Sequence, residues 1–352
     1  MKLGVFMEGY VRKGSTPHQR LFELIEEARV ADECGLDSFG VSEQHFKHPT
    51  NSTSAPEVVL SAIAQVTENI RIQPAVVVLP LHNPIQAAER WAAVDVVSRG
   101  RLDFGVGRGN TPVTADAFDV PIPETEERTI EAMKVVLSAW TQDSAEWNGK
   151  YYSVPDVSVT PRPVQAPHPP LYWAATSPHS HEVGGSLGFG LMTGGNALDL
   201  DQVHRRIERY REGRKTITPV HANQQTSDQV ILNVLGHCAA TTERAREQSE
   251  RYIVEYVNRT VNMYKTMVER SGRTADFGRS ERFIDNFDAL LDAGTVVIGS
   301  PEDCIRQLQQ LADLGVDAVT LRLDGPSHYD LVECIRLLAK EVRPACQSLP
   351  ER

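Results

Sequence analysis

Short apolar runs alternate with amphipathic stretches along this chain from one end to the other. Leu3–Phe6 opens as a strand-like run, and Leu21, Leu24, Ile25, Ala28 and Ala31 follow at helical spacing. Ser38–Val41 is the next strand, followed by a helix beginning near Pro56. Ala75–Leu79 is continuously apolar, as expected for a strand buried on both faces. Pro84 stands where the third helix should start. Leu102–Val106 reads as a fourth strand, and Ile130, Met133, Leu137 and Trp140 mark one face of a fourth helix. The alternation resumes at Leu171–Ala175, Gly190–Met192 and Val230–Leu235, with long helices over about 199–215 and 242–268. Val316–Leu323 and Leu331–Val342 are the last strand and helix.

Repeated strand–helix units imply a parallel sheet with right-handed crossovers, and about eight in one chain favour closure into a (β/α)8 TIM barrel. The expectation is therefore an α/β chain with one barrel domain over 1–352 and excursions at about 145–170 and 269–295. A doubly wound open sheet is the alternative. It lacks a Gly-x-Gly-x-x-Gly after the first strand, and Gly105-Val106-Gly107-Arg108-Gly109 has the wrong spacing for one. The second excursion mixes Arg270, Arg273, Arg279 and Arg282 with Phe277, Phe283 and Phe287, and is expected to be a mobile lid.

The net charge of −11 repels phosphate backbones and anionic surfaces, which argues against nucleic-acid and membrane partners. No apolar run approaches the ~20 residues that span a bilayer. The N-terminus enters a strand at once, without a signal-peptide cleavage site. The five cysteines are scattered and odd in number, which reads as reduced thiols in a cytoplasmic protein.

Barrel active sites lie at the C-terminal ends of the strands. Here those ends carry Glu43-Gln44-His45, His82, Arg108-Gly109-Asn110, Thr176-Ser177-Pro178-His179-Ser180, Thr193 to Asn196, and Arg322 with Asp324. Ionisable groups thus converge on one rim, and an enzyme is expected. Thr176 to Ser180, between a strand and a helix, suits an anion at a helix N-terminus. Arg108 on the neighbouring strand and Arg128 in the next helix could share that anion. Ordinary capping by Ser177 and surface ion pairs for the arginines is the alternative. His45 suits proton transfer near neutral pH. Glu43, two residues away, could orient it; a structural histidine is the alternative. His45, His48 and Glu43 are close in sequence, but Pro49 follows and no His-Glu-x-x-His helix exists, so no metal is expected. His179 and His181 are expected to be exposed at a helix start, and Trp140, Trp147, Tyr151, Tyr152 and Trp173 to serve packing.

Several segments together resemble the bacterial-luciferase-like flavin-dependent monooxygenases. They are Ser42-Glu43-Gln44-His45-Phe46, Val76 to Pro84 with Ala88-Glu89, Ser98 to Gly109, Pro161-Arg162-Pro163-Val164-Gln165 leading into His168-Pro169-Pro170, Ser177 with Ser180, and Gly299-Ser300-Pro301-Glu302. The resemblance implies a barrel that binds reduced FMN, supplied by a separate NAD(P)H-dependent flavin reductase. Molecular oxygen would add to it as a 4a-hydroperoxide, and one oxygen atom would pass to a small organic substrate. Arg108, Arg128, Ser177 and Ser180 match phosphate-holding positions. Ala75–Val76 matches a non-proline cis peptide beneath the ring, with Gly107 and Thr176 beside the cofactor. Glu43, Gln44 and His45 match the catalytic segment, and a homodimer through the second and third helices is implied.

The departures are specific. Gln44 stands where luciferases have a catalytic histidine, Gly107 where they have a reactive cysteine, and Gly195 where an aromatic ring often borders the flavin. They argue against light emission and for hydroxylation or Baeyer–Villiger insertion. A deazaflavin-dependent oxidoreductase and a non-catalytic flavin-binding subunit are the alternatives.

Overall fold

Eight strand positions build the wall of the fold: β1 (Lys2–Met7), β2 (Ser38–Val41), β3 (Arg71–Pro74, resuming at Val77–Val78), β4 (Phe104–Gly107), β5 (Leu171–Ala175), β6 (Gly190–Gly194), β7 (Val230–Cys238) and β8 (Ala318–Arg322). These come from a computed structural model that describes residues 1–271 and 281–348. Every ladder between them is parallel. β1 lies between β2 and β8, and the chain of neighbours continues through β7, β6 and β5 to β4.

The third strand joins the two ends of this path. Its first half pairs with β2, from Ser38–Arg71 to Val41–Pro74, and its second half pairs with β4 at Val77–Val106 and Val78–Gly107. Between the halves lies a non-proline cis peptide, Ala75–Val76, as the resemblance implied. An isolated parallel bridge, Ile72–Leu102, completes the seam. There Ile72 N donates to Arg101 O at 2.9 Å and Asp103 N to Ile72 O at 3.0 Å. The expected third strand, Ala75–Leu79, is thus corrected: pairing begins at Arg71, and Leu79–Leu81 is a 3-10 turn. The apolar run hid this because the first half carries polar side chains with buried partners. Arg71 Nε and Gln73 Nε2 donate to the two oxygens of Asp103 at 2.7 and 3.0 Å.

Four helices start where the sequence supplies both a side-chain cap and a proline. Thr16, Asn83, Ser177 and Ser300 accept first-turn amides ahead of α1 (Pro17–Glu33), α3 (Pro84–Val97), α6 (Pro178–Ser186) and α10 (Pro301–Ala312). The other helices in order are α2 (Pro56–Val66), α4 (Pro112–Ala117), α5 (Thr125–Thr141), α7 (Leu200–Gly213), α8 (Thr242–Ser271), α9 (Phe287–Asp292), α11 (His328–Leu337) and α12 (Arg343–Gln347). None of the described helices is long and apolar enough to cross a membrane. Buried Trp140 donates to Ala88 O at 2.9 Å, and buried Trp173 to Ser180 Oγ at 3.1 Å, so both indoles are packed and satisfied.

The first excursion is an antiparallel hairpin, Ala145–Asn148 with Ser153–Val157. Glu131 of α5 pins it by accepting from Trp147 Nε1 and from the Tyr151 and Tyr152 amides. In the second excursion, residues 272–280, the centre of the expected lid, lie outside the described residues. The flank beyond them is packed rather than loose: Phe283 and Phe287 are buried with Leu290 against Ile253, Val257 and Val261 of α8. A strand absent from the sequence reading, Val296–Gly299, then pairs with the second half of β7 from Leu235 to Cys238.

Gly105 shows how tight the seam is. A Cβ there would sit 2.5 Å from the Pro74 carbonyl oxygen and 2.6 Å from Met192 Sδ. The carbonyl belongs to the strand and cannot swing away. We expect Gly105→Ala to cost roughly 1–3 kcal/mol, the usual range for forced overpacking. A urea midpoint equal to that of the parent would show that the seam yields.

Candidate active site

A cavity of about 270 Å³ opens at the C-terminal ends of the strands, roofed by α8. Of the site residues expected from the sequence, Glu43, Gln44, Ala75, Val76, Gly107, Arg108 and Thr176 line it. Its floor beside the cis peptide is made of small groups. A Cβ added at Gly107 would lie 2.6 Å from Val76 Cγ2 and 3.3 Å from Ala174 Cβ, so only glycine leaves this surface flat.

His45 does not line the main cavity. It faces a side pocket of about 50 Å³ that shares Glu43, Gln44, Val78, Arg108 and Asn110 with the main one. The expected orienting contact is present: His45 Nε2 donates to Glu43 Oε1 at 2.7 Å. The same oxygen accepts from His82 Nε2 at 2.9 Å, and Glu43 Oε2 accepts the Val78 amide at 2.8 Å. Burial pushes the Glu43 pKa upward, but hydrogen bonds from His45, His82 and the Val78 amide outweigh it and bring the pKa down to about 2. Glu43 is therefore a fixed carboxylate with both imidazoles aimed at it. With Nε2–H so committed, each ring has Nδ1 left for exchange.

Arg128 and the two serines also stand back from the cavity wall. Arg128 pairs with Glu124 at 2.8 Å, one helical turn earlier, and its guanidinium lies 4.6 Å over the Tyr151 ring. Ser177 and Ser180 are buried at the N-terminus of α6, where Ser177 Oγ accepts the Ser180 amide at 3.3 Å. Only Thr176 of that turn reaches the cavity.

The expectation that His181 is exposed is corrected: it is fully buried. Its Nδ1 donates to the Ser177 carbonyl at 2.7 Å, which leaves Nε2 to accept from the Thr193 hydroxyl at 2.8 Å. Thr193 lines the cavity, so this imidazole ties the α6 turn to the wall. Helical position sets its burial, since His181 lies on the face of α6 turned to the barrel while His179 points out to Glu126.

Two groups of lining residues escaped the sequence reading. One is a stripe on α8, Tyr256, Arg259, Thr260, Met263 and Tyr264, whose i, i+4, i+7 spacing is visible but whose facing is not. Asn110 Nδ2 donates to Tyr264 OH at 3.2 Å, which joins this roof to the end of β4. The other is Glu8 at the end of β1, whose carboxylate lies 3.4 Å from buried Arg322.

Burial brings the His181 pKa down to about 3, against about 6.5 in an unfolded chain. Above pH ~6.5 both states are neutral at this site. As pH falls below that value, the unfolded chain takes a proton the native one refuses, and stability is lost down to about pH 3. We expect His181→Gln to make the fall in stability between pH 6.5 and 4.5 shallower, by up to ~1.4 kcal/mol per pH unit. Parallel stability–pH curves for parent and variant would refute this.

The family model described as luciferase-like monooxygenase matches residues 1–318. Limonene 1,2-monooxygenase of Rhodococcus erythropolis is 25% identical over 316 residues, covering 88% of this chain and 76% of the relative. The F420-dependent glucose-6-phosphate dehydrogenase of Amycolatopsis mediterranei is 26% identical over 337 residues, covering 93% and 95%. The oxygenase component of the flavin-dependent trigonelline monooxygenase of Acinetobacter baylyi is 27% identical over 239 residues, 66% of this chain. The chain spans 61% and 57% of the length of two of the curated relatives it matches. Among solved structures, monooxygenase RslO1 from Streptomyces bottropensis superposes with a TM-score of 0.80 at 22% identity, covering 98% of this chain and 99% of that one. That likeness speaks for the barrel fold. The family match over most of the sequence goes further: the chain belongs to the luciferase-like monooxygenases.

Proposed function

We propose that this chain is the oxygenase of a two-component flavin system. It would take reduced FMN from a separate NAD(P)H-dependent reductase and insert one atom of molecular oxygen into a small organic substrate. One observation carries the reading: Arg108 and Thr176 end the neighbouring strands β4 and β5 beside a flat wall of Ala75, Val76, Gly107 and Ala174. A planar ring with an anionic tail fits that combination. Reduced FMN, when bound, supplies the electrons that activate oxygen. The protein's own part is to hold and shield. Arg108 and the Thr176 turn bind the phosphate, with Ser177 and Ser180 shaping that turn from behind. Arg128, turned toward Glu124, would join the grip only by changing partner. α8 covers the cavity against water. Gln44 faces both cavities, and His45 moves a proton at Nδ1 while Glu43 holds its other nitrogen. Anaerobic titration with reduced FMN, then an oxygen pulse followed by absorption, tests the reading. Oxygen consumption indistinguishable from that of free reduced FMN would end it.

A deazaflavin cofactor is the second reading, favoured by the match over 93% of the chain to an F420-dependent dehydrogenase. The same titration with reduced F420 separates them. A homodimer is proposed on the exposed apolar residues of α2 and α3, Val58, Val66, Val96 and Val97. Light scattering that returned the mass of one chain at micromolar concentration would refute it.

Charge-assisted hydrogen bonds contribute about 1.5–3 kcal/mol. Arg108→Ala should therefore weaken FMN binding by about tenfold to a hundredfold and leave riboflavin binding nearly unchanged; equal losses for both ligands would make Arg108 structural. His45→Ala should retain FMN but lose coupling by about 10²-fold or more, with hydrogen peroxide in place of oxygenated product. A normal product-to-peroxide ratio with a lower melting temperature would leave His45 only a supporting role.

A further inference from the structure

The cavity has a second cationic pole. The loop after β2 folds back onto the end of β1: Val11 N donates to Thr50 O at 2.8 Å, Ser52 N to Gly9 O at 3.1 Å, and Asn51 Nδ2 to Glu8 O at 3.1 Å. This brings Lys47 into the cavity wall beside Glu8, with Arg259 of α8 above. β1 lies diametrically across the ring from β5, whose end carries Thr176. A phosphate held by Arg108 and Thr176 therefore leaves this pole to another group.

Of the charged groups that line the cavity at this pole, two are cations, Lys47 and Arg259, and one is a carboxylate, Glu8; Glu255 lies behind them beside Arg259 and accepts from the Tyr10 hydroxyl at 3.4 Å. Glu8 is shared among Arg322 at 3.4 Å, Arg259 at 3.8 Å, the Asn51 amide at 3.4 Å and the Tyr256 hydroxyl at 3.3 Å. Asp324 lies 3.9 Å from Arg322, but its oxygens accept the Glu8 and Tyr10 amides at 2.6 and 2.9 Å. Among the described residues, no carboxylate lies within ion-pair distance of Lys47. Burial and the Arg259 charge both push the Lys47 pKa down, with Glu8 opposing them. Two cations thus face a partly buried space around one carboxylate, in a chain whose net charge is −11. A low-dielectric cleft focuses that local field. Between the two poles the wall is largely apolar, with Phe6, Ala75, Val76, Ile231 and Met263.

We infer that the substrate is a small organic anion with an apolar body, and that Lys47 and Arg259 hold its carboxylate or equivalent group at the β1 side of the cavity. The inference rests on the oxygenase reading only in calling this occupant the substrate. Lys47 and Arg259 would set specificity by orienting the apolar body toward the flat wall, without touching the reacting atoms.

Equilibrium binding tests it without turnover. The full chain, with and without FMN, is titrated by calorimetry with acetate, benzoate, phenylacetate and octanoate, each against its primary amide. At least one carboxylate should bind about tenfold tighter than its amide, a difference of ~1.4 kcal/mol. Lys47→Met and Arg259→Met should each abolish the preference, Lys47→Arg should keep it, and the ratio of FMN to riboflavin affinity should stay at the parent value in all three. Three results would overturn the proposal: no carboxylate preferred over its amide, a preference that survives both methionine substitutions, or a fall in the FMN-to-riboflavin ratio, which would give this pole to the cofactor phosphate. Failure of the oxygenase reading looks different, since the oxygen pulse would then show no reaction beyond that of the free flavin while the carboxylate preference persisted.

Discussion

The ring of strands closes at a short seam between β3 and β4, and one buried guanidinium fixes its position. Arg101 donates through Nε to Ser98 O at 2.8 Å, through Nη1 to Thr67 Oγ1 and Ile70 O at 2.8 Å, and through Nη2 to Ala64 O and Thr67 O at 2.9 and 3.0 Å. It thereby satisfies carbonyls left open where α2 ends and ties them to the turn that enters β4. The next residues make the bridge to Ile72. A guanidinium with fewer acceptors here would be an uncompensated buried charge, so the turn and the helix end are held together or not at all.

That seam sets the shape of the cavity floor. Because β3 pairs with β2 before the cis peptide and with β4 after it, Ala75 and Val76 are presented to the inside of the barrel at the change of partner. Gly107, opposite Val78 in the ladder, has no room for a side chain. Glu43 then anchors the far side of the break by accepting the Val78 amide while holding two imidazoles. Thus the carboxylate that holds His45, the residue proposed to move a proton, is also a structural tie to the third strand.

Much of the longest family-like segment is concerned with closure. In Ser98 to Gly109, Arg99 and Gly100 take positive φ to turn the chain, Arg101 clamps, Asp103 receives Arg71 and Gln73, and Gly105 allows close approach. Only Gly107, Arg108 and Gly109 of this segment reach the cavity. A run of residues can therefore point to a family correctly while saying little about chemistry, because tight packing constrains residue identity as firmly as catalysis does.

What the sequence by itself determined is the order of strands and helices, the end of the barrel that carries the polar groups, and the family. These are legible because apolar periodicity, capped prolines and strand-end residues are local properties of neighbouring positions. It placed Glu43 beside His45 for the same reason, at two residues' separation on one side of the chain. The start of β3 was not legible, since polar residues with distant partners give no periodic signal; the apolar run Val296–Gly299 escaped the sequence reading because it follows directly on the segment 269–295, which is irregular in sequence. Tertiary structure alone decided that His181 is buried, that Arg128 turns to Glu124, and that Lys47, Arg259 and Glu8 share one wall. Glu8 and Arg322 meet across 314 positions of chain. Such encounters depend on how the ring closes and how α8 is rotated above it, and no local stretch of residues encodes either.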